Sequence, residues 1–311
     1  MSTLLEIDRS WEAALPRSEG AFDWWYVDAR TPDGDALVFI FARALPFFPR
    51  EGPSVNVALV RRGRPVLWLL EHHKEQVVRT GEGRFTVEVG GSTLRVDRIP
   101  GALDLRARVD LAVPGDRRRL TGTIAVRGPA AFEGEASRHP HRWAPLCPVA
   151  TVRARFDFGG VPHFALDAPG YLDRNLADAP LDALGVDRWT WGRARDGVRC
   201  AIWYALEGPS GSEEHRLDFD GTLVRAGANR EVALGARIES GPFYSRWLAE
   251  AGGMPAIVER CEATRIHDRW HRPLVRMRQH RDGERDSFWA PLFCGPAEGR
   301  FKRLLRVGGR T

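Results

Sequence analysis

The chain predicts an all-β protein assembled from antiparallel barrel or sandwich units with few short helices. Three observations carry that expectation: a hydrophobic period of two, two-residue glycine links at regular intervals, and a scarcity of helical periodicity. The segments ALVFIFARAL (36–45), SVNVALV (54–60), PVLWLLE (65–71) and LDLRARVDLAV (103–113) alternate or run apolar at strand length. Gly90-Gly91 separates RFTVEV from STLRVDR, and Gly159-Gly160 separates VRARFDF from VPHFALD. Asp196-Gly197 and Asp220-Gly221 stand in similar settings. Such pairs favour the primed turns that join antiparallel strands, because their twist matches that of the strands. The best helical candidate is Pro242–Gly252, PFYSRWLAEAG.

An internal repeat divides the chain. DWWYVDARTPDGDALVFIF (23–41) parallels DRWTWGRARDGVRCAIWY (187–204): each has a tryptophan pair, then Ala-Arg, then Asp-Gly, then an apolar strand. Each copy marks an early strand of its own β unit. HPHRWAPLCP (139–148) places three prolines in ten residues, which sets the expected division at 1–145 and 146–311.

Composition narrows the function classes. With 43% hydrophobic and 28% charged residues in 311, the chain is globular, not disordered or collagen-like. Its longest apolar stretch, Ala36–Phe48, is 13 residues and carries Arg43; a membrane-spanning helix needs about 20. The first twenty residues have acids and no apolar run of a secretory leader, so a cytoplasmic protein is expected. Cys147, Cys200, Cys261 and Cys294 lie far apart, as reduced thiols do. The net charge of +5 comes from arginines spread along strand-like segments, without a nucleic-acid-binding motif. The basic run RFKRLLRVGGR (300–310) suits peripheral contact with a membrane surface, such as the inner membrane.

Dinucleotide, phosphate-loop and serine-hydrolase signatures are absent. HPH (139–141) and HDRWH (267–271) bring histidines close. In the second, Asp268 stands where a zinc protease has glutamate, and the alternation reads as a strand, so no metal is expected. His72-His73 would point to opposite faces of a strand. Two i, i+2 pairs carry more chemistry. His141-Arg142-Trp143 and Tyr171-Leu172-Asp173 each place their outer members on one strand face. A carboxyl kept neutral by an apolar pocket and flanked by aromatic faces is what proton-initiated carbocation chemistry requires.

Four segments resemble the bacterial carotenoid 1,2-hydratases, or hydroxyneurosporene synthases: GAFDWWYVDA (20–29), SVNVALV (54–60), HRWAP (141–145), and GYLDRNLADAPL (170–181) with RWTWGRA (188–194). These enzymes belong to a lipocalin-like group that includes tocopherol-cyclase-like proteins and decalin-forming Diels–Alderases. The resemblance implies two tandem lipocalin-like β units with a pocket at their junction. It implies no cofactor, a hydrophobic isoprenoid or carotenoid substrate, and His141, Trp143, Tyr171 and Asp173 as the residues of catalysis. Trp24, Trp25, Tyr26, Asn56, Asn175, Trp189 and Trp191 are the candidates for lining the substrate site. Trp24-Trp25-Tyr26 also suits a barrel plug, Asn56 and Asn175 suit ladder or turn positions, and Arg193 and Arg195 suit a solvated strand face. The chain departs from the family pattern in two places. Asp23 stands where many members have glutamate, and Leu176-Ala177 replaces a Trp-Gly pair.

The expected reaction is hydration of the C1–C2 double bond of an acyclic carotenoid end group. Asp173 protonates C2, aromatic faces steady the cation at C1, and His141 holds Asp173 or orients the attacking water. Two rivals stay open. A polyene cyclase in the same fold would capture the cation with an internal alkene. A non-catalytic carotenoid or lipid carrier would need the pocket but neither His141 nor Asp173. The aspartate-rich motifs of diphosphate-ionising and triterpene cyclases are absent, DAPLD (178–182) and DFD (218–220) only approaching them.

Overall fold

The computed structural model describes residues 21–44, 52–81, 83–113, 116–129, 142–179, 184–186, 188–219, 224–226, 232–240, 244–251, 254–262, 288–293 and 302–307. Every element among them is a strand. The first eleven are β1 (Phe22–Arg30), β2 (Ala36–Ala44), β3 (Ser54–Arg61), β4 (Arg64–His72), β5 (Val77–Gly81), β6 (Arg84–Val89), β7 (Ser92–Ile99), β8 (Ala102–Ala112), β9 (Arg119–Pro129), β10 (Arg142–Phe158) and β11 (Val161–Ala177). There follow β12 (Arg188–Asp196), β13 (Arg199–Gly208), β14 (Gly211–Phe219), β15 (Val224–Ala226), β16 (Val232–Ser240), β17 (Tyr244–Ala251), β18 (Met254–Glu262), β19 (Phe288–Phe293) and β20 (Lys302–Val307).

Two sheets result. The larger runs β19-β20-β4-β3-β2-β1-β11-β10-β9-β8-β7-β6-β5, and the smaller runs β15-β14-β13-β12-β18-β17-β16. Pairing is antiparallel except between β20 and β4. The large sheet curls, so that Glu71 on β4 accepts a hydrogen bond from the amide of Ala112 at the end of β8 (2.8 Å). The change of sheet falls between β11 and β12. Residues 142–177 therefore pair within the first sheet.

Glycine links sit where the periodicity places them. Gly159 and Gly160 join β10 to β11 with φ of 60° and 81°, the pair of positive angles that a primed two-residue turn requires. Gly90 and Gly197 likewise have positive φ between paired strands. Asp220-Gly221 lies outside the described residues. The expected helix at Pro242–Gly252 is not formed: Tyr244–Ala251 is strand β17, laddered to β16 on one side and β18 on the other. Its Leu, Ala and Glu favour a helix only by tenths of a kcal/mol each, which two full ladders of backbone hydrogen bonds override. Residues 302–307 of the basic C-terminal run also lie in the sheet, as β20.

Two apolar cores share the central strands. One fills the curl of the large sheet and holds Val27, Leu37, Phe39, Leu59, Val87, Leu105 and their neighbours. The other lies between the sheets, where Trp24, Tyr26, Trp68, Trp143 and Tyr171 meet Trp191, Ile202, Tyr204 and Ile257. Burial along β11 shows where the second sheet begins to cover the first. The strand alternates exposed and buried up to Pro169, then is buried at every position from Gly170 to Ala177. β1 is buried on both faces for eight residues. Gly170 sits at the changeover, where a Cβ would overlap Val152 and the carbonyl oxygen of Asp28.

Candidate active site

The doubly buried ends of β1 and β11 bring the Tyr-x-Asp pair into the inter-sheet core. Register places Tyr26 opposite Asp173, Trp24 opposite Asn175 and Asp28 opposite Tyr171. On β10, Trp143 stands opposite Asn175. Residues paired across strands share a face, so Trp24, Tyr26, Trp143, Tyr171, Asp173 and Asn175 all face the second sheet.

Asp173 is the hub. Its Oδ2 accepts hydrogen bonds from the Trp143 indole Nε1–H (3.0 Å) and the Tyr171 hydroxyl (2.9 Å), and its Oδ1 accepts one from the Asn175 amide (2.9 Å). Asp173 is 2% exposed, and its three donors are buried with it. Indole and amide N–H groups only donate, so two of the three bonds have a fixed sense. Burial, and then the charge and hydrogen bond of Asp173, push the Tyr171 phenol well above its ordinary value of 10. Tyr171 is therefore a hydroxyl donor at any working pH.

The second sheet closes the box. Trp191 on β12 packs edge-on to Tyr26 (centroids 4.9 Å) and tilted to Tyr171 (5.3 Å). Tyr204 on β13, paired with Trp191 in the ladder, stacks on Trp143 at 4.8 Å. The carboxyl thus sits among five aromatic rings drawn from both sheets. The buried Trp191 indole N–H interacts with the Tyr171 hydroxyl, which works against the rise in the phenol's pKa.

The other anticipated positions separate by strand parity. Trp25 lies between Trp24 and Tyr26 and so faces the opposite way, into the core of the curled sheet, 5.9 Å from Phe85. Its ring lies beneath Arg174 (5.1 Å). On that same face Asp23 binds Arg43 (3.0 Å) and both Nε and Nη2 of Arg174 (2.9 and 2.8 Å). Burial opposes the charge of Asp23, yet the two arginines, Arg174 foremost, hold its carboxyl below the ordinary value. The aspartate that departs from the family's usual glutamate therefore closes a buried ionic cluster.

Asn56 shares the face of Asp173 but lies three strands away, through Tyr26 and Ile40, at about 14 Å by strand spacing. Its Oδ1 accepts the Trp68 indole N–H (2.9 Å). Trp189 is on β12 two residues before Trp191, and its side chain lies outside the described residues. His141, HPH and HDRWH lie outside them as well. Among the described residues no three His, Cys, Asp or Glu side chains cluster as metal ligands, and no helix is long and apolar enough to cross a membrane.

The expectation of a solvated face for Arg193 and Arg195 is overturned. Arg193 is 4% exposed and forms a two-point pair with Asp28, which is fully buried. Arg195, half-buried, donates to the carbonyls of Ala150 (2.9 Å) and Gly170 (3.1 Å). Alternation alone could not show this, because a strand face is solvated only when no second sheet covers it. Tyr204, Asp28 and Arg193 are the site residues that sequence reasoning missed. The one available signal was the repeat, which aligns DWWYVDAR with DRWTWGRA without showing that the two copies meet.

A two-sheet β protein with a triply hydrogen-bonded carboxyl in an aromatic box between its sheets defines the class: a β scaffold with one buried acid in apolar surroundings. The chain belongs to the carotenoid hydratase CrtC family, whose profile matches residues 48–287. It is 25% identical over 273 residues to the acyclic carotenoid 1,2-hydratase of Thiocapsa roseopersicina, covering 74% of this chain and 65% of that one. To the acyclic carotenoid 1,2-hydratase of Rubrivivax gelatinosus it is 25% identical over 304 residues, covering 84% and 71%. The chain thus spans just under two thirds of the Thiocapsa protein's length. Among solved structures, CghA with Sch210972 superposes with a TM-score of 0.56 at 13% identity, over 80% of this chain and 93% of that one. CghA alone gives 0.53 over the same shares. These likenesses support the lipocalin-like two-sheet fold.

Proposed function

We propose that this chain hydrates the C1–C2 double bond of an acyclic carotenoid end group, without a cofactor. The observation that carries the reading is the Asp173 carboxyl, held by Trp143, Tyr171 and Asn175 inside an aromatic box shared by the two sheets.

In its acid form Asp173 transfers its proton to C2, and the alkene π electrons become the new C–H bond, leaving a tertiary cation at C1. The three donors around Asp173 then stabilise the carboxylate left behind. Rings of Tyr26, Trp143, Tyr171, Trp191 and Tyr204 surround Asp173, and each face offered to the cation would contribute on the order of 0.5–2 kcal/mol. Water adds at C1, and its surplus proton returns to Asp173, directly or relayed through His141, so the acid is restored. The substrate is apolar and lives in a lipid phase, so the protein works at a membrane surface from the aqueous side. A 25% likeness to named hydratases and membership of their family support the same reading.

The test is expression in a lycopene- or neurosporene-accumulating host with mass analysis of the pigments. Addition of one or two waters, abolished by Asp173→Asn in a folded protein, is the expected result. Near-normal hydration by Asp173→Asn removes Asp173 as the acid. A pigment of unchanged mass and altered retention refutes hydration in favour of cyclisation. Unchanged pigment that co-purifies refutes it in favour of a carrier.

A further inference from the structure

The two sheets are tied together beside the Asp173 site by three arginines. Arg30 on β1 reaches across to the carbonyls of Ala249 and Ala256 on β17 and β18 (3.1 Å each). Arg195 on β12 reaches back to Ala150 and Gly170 on β10 and β11. Between them Arg193 on β12 grips Asp28 on β1 with Nε and Nη2. Only the middle link is an ion pair, and it is the most deeply buried.

Its place relative to the acid is specific. Asp28 is the direct cross-strand neighbour of Tyr171. The Arg193 guanidinium lies 5.8 Å from the centre of the Tyr171 ring. Trp191 is two residues before Arg193 on β12, so both project from the same face toward Tyr171. Trp191 and Arg193 thus bracket the phenol that hydrogen-bonds Asp173. Burial disfavours the charge on Arg193, but Asp28, foremost among the groups opposing that effect, leaves its pKa raised overall.

We propose that the Asp28–Arg193 pair is a positioning device for the reaction: it sets Trp191 against Tyr171 and so fixes the phenol that holds Asp173. Packing alone would not require ions here, since an apolar pair of similar volume is often as stable as a buried salt bridge. The ion pair fixes β12 against β1 more specifically than the carbonyl contacts of Arg30 and Arg195 do, because loss of either partner leaves a buried charge. The proposal rests on the hydratase reading given above.

Two variants test it in the full-length protein. Asp28→Asn keeps the shape and leaves Arg193 charged; Asp28→Asn with Arg193→Gln removes both charges and keeps a polar contact. With Arg193 left buried without its carboxylate, Trp191 and Tyr171 lose their setting, and kcat for Asp28→Asn falls on the order of tenfold while KM changes little. The double variant regains most of the lost kcat. Equal kcat in the folded Asp28→Asn variant and the parent overturns the proposal, as does a double variant no faster than the single one. Near-ultraviolet circular dichroism of the Tyr26–Tyr171–Trp191 group gives a second readout that needs no turnover. Loss of that signal in Asp28→Asn and its return in the double variant support the positioning role; an unchanged signal in Asp28→Asn overturns it. An inactive parent protein refutes the hydratase reading, and the dichroism still decides the pairing.

Discussion

Tyr171→Phe removes one hydroxyl and leaves the ring that packs on Trp191 and Tyr26. The lost bond is the 2.9 Å contact from Tyr171 to Asp173 Oδ2, in full burial. A hydrogen bond to an ionised acceptor contributes about 1.5–3 kcal/mol. During proton transfer Asp173 gains negative charge, so that contribution grows toward the transition state and its loss appears in kcat. The growth from a neutral to an ionised acceptor is about 1–1.5 kcal/mol, so at about 1.4 kcal/mol per tenfold kcat falls roughly five- to tenfold. KM stays near the parent value because the apolar surface is kept. Folding stability falls by about 1–2 kcal/mol, since Asp173 retains Trp143 and Asn175. The assay is single-substrate turnover of detergent-dispersed lycopene with chromatographic product analysis, run beside a thermal melt. The phenol is held well above 10 by burial and by Asp173, so it stays protonated in the parent at every ordinary assay pH. Phenol ionisation therefore shapes no part of the parent's pH profile, and any change in the variant's profile comes from the lost bond to Asp173. A folded Tyr171→Phe protein within twofold of the parent rate would refute the assignment of Tyr171 as a holder of the acid.

Two further outcomes concern stability. Asp23→Asn leaves Arg43 and Arg174 buried without their carboxylate and costs about 3–5 kcal/mol in urea unfolding at neutral pH. Because the folded carboxyl is held below 3.8, its contribution is present above that value and lost as pH falls through the folded pKa; a cost under about 1 kcal/mol contradicts the cluster's role. His72 is fully buried, and burial pushes its pKa from 6.5 down to about 3. Below pH 6.5 the unfolded chain takes up a proton that the folded one refuses, so stability declines from pH 6.5 toward 3, by about 5 kcal/mol at most. His72→Gln flattens that slope in urea midpoints measured across the range; an unaltered slope assigns it to other groups.

Much of the site was legible as strand parity. Of the two i, i+2 pairs, Tyr171 and Asp173 face one way with Trp143 beside them, His141 lying outside the described residues, while Trp25 faces the other way with Asp23 and Arg174. Period-two patterning shows which residues share a face, but not what lies against it. For that reason Arg193 read as a solvated residue, although a second sheet covers it. The helix expected at Pro242–Gly252 failed for a related reason: local propensity for Leu248, Ala249 and Glu250 is weak against partners on both strand edges.

Alternation, glycine turns and composition by themselves determined an all-β chain, the strands carrying the acid and its aromatic neighbours, and the sides on which those residues stand. These are local properties, set by backbone geometry and by the exclusion of apolar groups from water. Only the tertiary structure decided that Asp173 takes three donors, that Trp191 and Tyr204 close the box from the second sheet, and that Asp28 pairs with Arg193. Those contacts join residues up to 165 positions apart, and no local rule of periodicity or propensity reaches across that distance.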